Sequence, residues 1–219
     1  MIRIVFIALF FSTFSTAQKK QYVLDIDGSE SNFQALFIKH PNNSMEFRVK
    51  KDSGKVFQIS APKYEIYKVN HDIVLENISK IKKEIHKDSL TYLIQYFYKD
   101  DTSFLDEENK FLDKNGSYLK FIINMKRNVE KINPNIKVLF VFEKGIDISI
   151  VGKRKSFIID EDLFFKNQFL KKSILCGSFL LIKPNGELLV RNGEYRLDKM
   201  IEHLNSEIWD TILNNKNSS

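Results

Sequence analysis

The sequence predicts a mixed α/β protein, α+β overall, in which a small antiparallel β-rich region precedes a domain with the order β-α-β-α-β-β-α. Two observations carry this prediction. Apolar runs of strand length, at 92–98 and 136–142, flank an amphipathic helical segment at 117–132. A later apolar run, 178–182, is followed by a Pro-Asn-Gly turn and a second short strand, which is the pattern of a β-hairpin.

The bulk composition fits a folded chain with a packed core. Of the 219 residues, 43% are hydrophobic and 28% are charged, a balance that argues against intrinsic disorder. The formal net charge of +6 is spread along the chain rather than concentrated in one arm, and no nucleic-acid-binding motif occurs. We therefore expect no nucleic-acid partner.

The first residues predict a secretory signal peptide over positions 1–17. Arg3 supplies a positive charge, residues 4–11 form an uninterrupted apolar stretch, and small polar residues lead up to Ala17. Cleavage between Ala17 and Gln18 would export the protein, to the periplasm or as a secreted protein. An uncleaved anchor is the alternative, although the apolar stretch is shorter than the roughly 20 residues that span a membrane. No later stretch is apolar over such a length, so we expect no membrane span in the mature chain.

Residues 18–70 are expected to form the β-rich N-terminal region. Short alternating runs, separated by turn residues such as Asp27-Gly28, predict antiparallel strands there. Residues 71–89 then change to a helical period and form a helical connector, for which Asp72 is a suitable N-cap. The strands of the first region are expected at 22–26, 45–50, 56–59 and 64–67.

Residues 90–214 form the predicted β-α-β-α-β-β-α domain. The first two apolar runs and the helix between them make a βαβ unit, whose strands should be parallel and joined by a right-handed crossover. The basic run 153–155 follows; it could meet an anionic partner, but a solvated loop is the simpler interpretation. The acidic run 160–162 is expected to open the next helix. After the hairpin, helical spacing predicts a terminal helix over 197–212, and residues 215–219 are expected to be a disordered tail.

The closing hairpin and helix carry a family resemblance. Residues 179–204, FLLIKPNGELLVRNGEYRLDKMIEHL, resemble the last segment of exported thioredoxin-like and thiol-specific-antioxidant-type proteins. In those proteins an apolar strand, a Gly-containing turn, a second strand and a helix follow one another. The element order of residues 90–214 is similar to that of the same family. The resemblance implies a thioredoxin-like fold for this domain.

The resemblance also implies where a redox site would lie, and this chain departs from the family there. Members hold a Cys-x-x-Cys pair after the first core strand, at a helix N-terminus that lowers the thiol pKa. The corresponding loop here contains Thr102 and Ser103 and no cysteine. The cis-proline that precedes the third strand in the family matches Gly177. The chain therefore resembles a degenerate member without the dithiol–disulfide cycle.

Cys176, the single cysteine of the chain, lies beside that position. One interpretation is a lone thiol that captures a partner thiol as a mixed disulfide. The other is a small buried hydrophobic side chain, as cysteine often is. Its apolar neighbours Ile174 and Leu175 favour the second interpretation, because an apolar environment raises a thiol pKa.

Other candidate chemistry is sparse. The four histidines, His40, His71, His86 and His203, show no metal-ligand spacing, and His203 is expected at a surface or interface. The acidic pairs Asp100-Asp101 and Glu107-Glu108 predict a solvated loop rather than an acid–base site. We expect no cofactor, no metal and no assigned catalytic residue.

These observations favour an exported thioredoxin-like protein without a redox dithiol, acting as a binding or interaction module of the cell envelope on a protein partner that the sequence does not name. An enzyme is the less favoured interpretation. One alternative is a thiol–disulfide oxidoreductase-type enzyme that uses Cys176 with a partner thiol. Another is a structural envelope protein whose β-rich N-terminal region docks on a partner.

Overall fold

The computed structural model describes residues 21–50, 54–81, 89–113, 116–152 and 154–216. The predicted signal peptide, with its cleavage site at Ala17 and Gln18, lies outside the described residues. Among the described residues, no helix combines the length and the apolar character that crossing a bilayer demands.

Nine strands and five α-helices make up the described parts of the chain. The strands are β1 (Gln21–Leu24), β2 (Asn43–Lys50), β3 (Gly54–Pro62), β4 (Tyr64–Lys68), β5 (Thr91–Phe97), β6 (Ile136–Glu143), β7 (Phe157–Asp160), β8 (Ser178–Ile182) and β9 (Glu187–Asn192). The helices are α1 (Phe33–Lys39), α2 (His71–Ile81), α3 (Ser117–Ile132), α4 (Phe164–Gln168) and α5 (Ser206–Lys216), with 3-10 helices at Ser149–Val151 and Leu197–Leu204.

A six-stranded sheet with the order β4-β9-β8-β5-β6-β7 forms the centre of the fold. Strands β5 and β6 are parallel and are connected through α3, as the βαβ pattern predicts. Strand β8 pairs antiparallel with β5, and the β8–β9 hairpin continues the sheet. The inner order β9-β8-β5-β6, with these directions, is the strand order of the thioredoxin fold. The chain therefore has a thioredoxin-like α/β fold.

Two edge strands extend this sheet beyond the predicted elements. Strand β4, expected in the N-terminal β-rich region, pairs antiparallel with β9. Strand β7 pairs parallel with β6 and ends at Asp160, where a helix start was expected. The helix begins four residues later, at Phe164, whose N–H donates to the Asp160 carboxylate over 2.8 Å. Asp160 therefore caps the start of α4 from the end of β7, but the acidic run does not form the first turn of the helix as expected.

The N-terminal sheet has the order β1-β3-β2. Strands β2 and β3 are antiparallel, as predicted, but β1 pairs parallel with β3, so the expectation of antiparallel strands is wrong for β1. Helix α1, which the strand patterns did not predict, lies between β1 and β2. It begins after Asn32, whose side chain accepts a hydrogen bond of 2.9 Å from the Ala35 N–H.

The two faces of β5 belong to two apolar layers, because successive side chains of a strand point to opposite faces. Tyr92, Ile94 and Tyr96 pack with α2, α4 and the N-terminal sheet, including the buried Phe47 of β2. Leu93 and its neighbours on the other face pack with α3, the 3-10 helix Leu197–Leu204 and α5. The N-terminal sheet thus shares one core with the central sheet.

The predicted terminal helix is divided in two. The 3-10 helix ends at Leu204, and α5 begins at Ser206 and runs to Lys216, into the segment expected to be a tail. Asn205 separates the two helices, because its side chain accepts the Glu207 N–H over 3.0 Å and starts a new helix. Residues 82–88 of the predicted connector, and residues 217–219, lie outside the described parts of the chain.

Candidate functional site at the end of strand β5

A closed turn follows β5 in the place where the family holds its cysteine pair. The Phe104 and Leu105 N–H groups both donate to the Asp101 carbonyl, over 3.1 and 3.0 Å. The Ser103 N–H donates to the Asp101 carboxylate over 3.0 Å. These bonds leave Thr102 and Ser103 exposed at the tip of the turn.

Cys176 and Gly177 approach this turn from the loop before β8. The Cys176 sulfur lies 3.3 Å from the Ser103 hydroxyl. Both Cys176 and Gly177 have positive φ, of 67° and 78°. The fold therefore brings together Ser103, Cys176 and Gly177, which the sequence had singled out separately, while Thr102 lies exposed on the same turn.

Gly177 is held in a position that only glycine fits. A Cβ at this residue would lie 2.7 Å from the Tyr96 carbonyl oxygen of β5. Its φ of 78° also excludes proline, whose ring fixes φ near −65°. The residue that matches the family's proline thus supports the close approach of the β8 loop to β5 in a different backbone conformation.

Asp101 also belongs to the site, which was not predicted from the sequence. The acidic pair was expected to be solvated, but the Asp101 side chain is completely buried. Burial raises the pKa of this carboxyl, while hydrogen bonding by Ser103 and the nearby Cys176 and Gly177 N–H groups opposes the rise. Its Oδ2 atom has no partner with hydrogen-bond geometry among the described residues. The Asp-x-Ser spacing, typical of a turn closed by an aspartate side chain, was the available signal.

The electrostatic environment keeps Cys176 protonated. Burial raises the pKa of its thiol, the hydrogen bond with Ser103 lowers it, and the negative charges of Asp101 and Glu194 raise it further. A thiolate is the reactive form of cysteine, so a raised pKa lowers its reactivity at neutral pH. With one cysteine in the chain, Ser103 supplies a hydroxyl where a second sulfur would be needed for an internal disulfide.

A buried polar chain fixes the start of β8 next to the site. The Tyr98 and Ser178 hydroxyls are 2.9 Å apart, and Ser178 donates to the Asn192 side chain over 2.8 Å. Asn192 in turn donates to Glu65 of β4 over 2.9 Å. Because a buried polar group without a partner is costly, this chain of bonds holds β5, β8, β9 and β4 in register.

His203 lies in a second polar cluster, away from the site. It was expected at a surface or interface, and it is buried between the rings of Tyr64 and Tyr195. Burial lowers the pKa of its imidazole. Arg191 packs against the same two rings, at 5.1 and 4.8 Å from their centroids. Across the described residues, no three histidine, cysteine or carboxylate side chains are arranged to hold a metal ion.

Comparison with known proteins finds a similarity at the level of structure. No protein-family model matches the chain, and no curated protein matches it. The chain is similar to the solution structure of a candidate thioredoxin from Neisseria meningitidis, with 16% sequence identity and a TM-score of 0.37. That similarity covers 81% of this chain and 93% of the other.

Proposed function

We propose that this protein is an exported thioredoxin-fold binding module of the cell envelope that engages a protein partner without turning over disulfides. The observation that carries the proposal is the closed turn at Asp101–Leu105, which occupies the place of the cysteine pair. Export rests on the signal-peptide pattern of residues 1–17.

The geometry supports binding over catalysis for two reasons. A dithiol–disulfide cycle needs two sulfurs that exchange through a mixed disulfide, and here a serine hydroxyl faces the single thiol. In addition, burial and two neighbouring carboxylates hold the pKa of that thiol above its usual range. Under this proposal the protein has the thioredoxin-like fold and does not catalyse disulfide exchange.

An insulin-reduction assay with dithiothreitol tests the absence of disulfide turnover. The wild-type protein is expected to precipitate insulin no faster than dithiothreitol alone, beside a Cys-x-x-Cys thioredoxin as the positive control. Catalysed reduction that disappears in Cys176→Ser would overturn the proposal. Export is tested separately by sequencing the N-terminus of protein recovered outside the cytoplasm, which is expected to begin at Gln18.

The alternative is single-thiol exchange by Cys176, which its partial exposure beside the Ser103 hydroxyl favours. Reaction with 5,5′-dithiobis(2-nitrobenzoic acid) separates the two functions. Under the proposed function the native thiol reacts much more slowly at neutral pH than the same thiol after denaturation. Equal rates before and after denaturation would support the exchange reaction instead.

A third possibility is a structural role in which the N-terminal region docks on a partner. It is favoured by three exposed apolar side chains there, Ile26, Phe37 and Ile38, which are 53%, 49% and 74% exposed. The N-terminal sheet shares its core with the central sheet, so the test needs the full chain. The substitutions Phe37→Ser and Ile38→Ser should abolish envelope association if this surface is the docking site, and should leave it unchanged otherwise.

A further inference from the structure

A basic groove lies between α3 and the segment that leads into β7. Its volume is about 590 Å³. Arg154 and Lys155 contribute one wall, and the exposed face of α3 contributes the other. The cationic residues that line it are Lys120, Lys126, Arg127, Arg154 and Lys155.

The floor of the groove is apolar. Leu119 and Phe157 are buried at its base, and Ile123 is half-buried beside them. An apolar floor between two cationic walls can bury a hydrophobic side chain while charged groups on either side of it are neutralised. Such a surface suits a ligand that carries both kinds of group.

The carboxylates near the groove already have partners within the chain. Asp113 is the one acidic residue in the lining, and its Oδ1 accepts the Tyr118 and Leu119 N–H groups over 3.0 and 3.1 Å, which caps α3. Glu130 binds Lys126 and also lies 3.6 Å from Lys137. The groove therefore carries an excess of positive charge.

Two of the groove cations have no counter-charge in the described parts of the chain. Lys120 and Arg127 project from exposed positions of α3 and form no ion pair with any residue that the structure describes. Seven residues apart on the helix, they lie on one face, along the edge of the groove. An anionic partner can therefore neutralise them without breaking an existing ion pair.

We propose that this groove binds an acidic segment of a protein partner, in which apolar side chains alternate with Asp or Glu. The proposal rests on the binding role argued above and names the partner's chemistry. Carboxylates pair with Lys120 and Arg127 at the rim, and an apolar side chain occupies the floor over Ile123. Charge complementarity of this kind speeds association and fixes orientation.

The shape of the groove disfavours other polyanions. Single-stranded nucleic acids stack their bases on exposed aromatic faces, and Phe157, the aromatic residue in the lining, is only 5% exposed. A flat lipid surface cannot fill a concave groove with an apolar floor. A peptide with alternating side chains can satisfy both the walls and the floor.

Fluorescence anisotropy with a labelled synthetic peptide of alternating Glu and Leu residues tests the proposal. The full-length protein should bind it at low ionic strength, and should bind the same peptide with Gln in place of Glu far more weakly. Reversal of both rim charges, Lys120→Glu with Arg127→Glu, should weaken binding at least about tenfold, since each reversal replaces an attraction by a repulsion. Ile123→Gln should weaken binding as well, because it removes the apolar contact.

The matched control is Lys131→Glu with Lys144→Glu, which changes net charge equally at exposed positions outside the groove. Equal losses in both double variants, or no peptide binding by the wild type, would overturn the proposal. So would tighter, rim-dependent binding of polyphosphate, single-stranded DNA or phosphatidylglycerol vesicles than of the peptide. Insulin reduction reports on the other site, so catalysed reduction with intact peptide binding would reject the proposed function and keep the groove.

Discussion

The Cys176 sulfur lies 3.3 Å from the Ser103 hydroxyl, across the loops that end β5 and begin β8. In the family that the sequence resembles, the first of these loops carries both cysteines, and the second carries the proline that faces them. A hydroxyl and a thiol at this distance form a hydrogen bond and no covalent bond. The loop after β5 therefore presents a hydroxyl, and the single thiol of the chain lies in the loop that faces it.

Substitution of Ser103 by cysteine should complete a sulfur pair. The new thiol would lie next to Cys176, within the short range that a disulfide needs. We expect Ser103→Cys to form an internal disulfide under mild air oxidation, seen as loss of both free thiols in a denaturing thiol assay. Thr102→Cys is the control, because this exposed neighbour should keep its thiols free; two free thiols in Ser103→Cys would contradict the geometry.

Gly177 should tolerate no side chain. Gly177→Ala adds a Cβ 2.7 Å from the Tyr96 carbonyl oxygen at a φ of 78°, so both a steric clash and backbone strain oppose it. Gly116→Ala introduces the strain of positive φ without any atom within 4 Å of the new Cβ. We expect Gly116→Ala to lower the free energy of unfolding by about 1–2 kcal/mol and Gly177→Ala by clearly more. Equal losses of unfolding free energy in the two variants, measured by urea denaturation, would show that the loop before β8 moves away from β5 in Gly177→Ala.

The elements that follow a clear hydrophobic period could be predicted from the sequence. Strand β5, helix α3 and strand β6 form the expected parallel unit, and the Pro-Asn-Gly turn joins β8 to β9. In each case local spacing and turn chemistry agree with the final packing. These elements were enough to indicate the thioredoxin-like order.

The elements that depend on distant partners could not be predicted. Strand β7 has only four residues, and its pairing with β6 is a tertiary event. Strand β4 follows β3 in sequence but pairs with β9, more than a hundred residues away. The Asp-x-Ser spacing indicates a turn at Asp101, but the burial of its side chain depends on the loop before β8, which is distant in sequence. The contact between Ser103 and Cys176 likewise exists only after the sheet has formed.

The buried Asp101 should make stability fall as the pH rises. Its pKa in the folded protein lies above the ordinary value of 3.8, so in the window above 3.8 the folded state binds more protons than the unfolded state. Stability is therefore lost as the pH rises through the folded pKa. Asp101→Asn removes this titration, and wild type should lose free energy of unfolding relative to the variant as the pH increases. If urea denaturation gives the two proteins the same change in free energy of unfolding with pH, the pKa of Asp101 is not raised by folding.

The buried His203 should make stability fall as the pH decreases, the opposite of the effect of Asp101. Its pKa in the folded protein lies below the ordinary value of 6.5, because burial disfavours the charged imidazolium and the nearby Arg191 charge adds to the effect, against opposing contributions from Glu202 and backbone groups. Below pH 6.5 the unfolded state binds a proton that the folded state excludes, so stability falls as the pH decreases.

His203→Gln should remove the loss of stability that wild type shows below pH 6.5. The variant is compared with wild type by thermal denaturation in buffers on both sides of pH 6.5. The difference between the two proteins should change in favour of the variant as the pH falls. The loss of the Tyr64 contact sets a stability difference between the two proteins that does not depend on pH. If the whole difference in stability is independent of pH, folding does not lower the pKa of His203.

The N-terminal sheet should unfold together with the central sheet, because the two share one apolar core. Phe47 of β2 is buried in that core, and Trp209, the one tryptophan of the chain, is buried in the other layer of the molecule. Phe47→Ala should cost about 3–5 kcal/mol, typical of a buried phenylalanine. If the layers are coupled, this cost appears in the denaturation curve followed by Trp209 fluorescence.

Phe37→Ala, at a position 49% exposed in α1, is the control and should leave that curve nearly unchanged. A Trp209 transition unaffected by Phe47→Ala would mean that the N-terminal sheet unfolds independently.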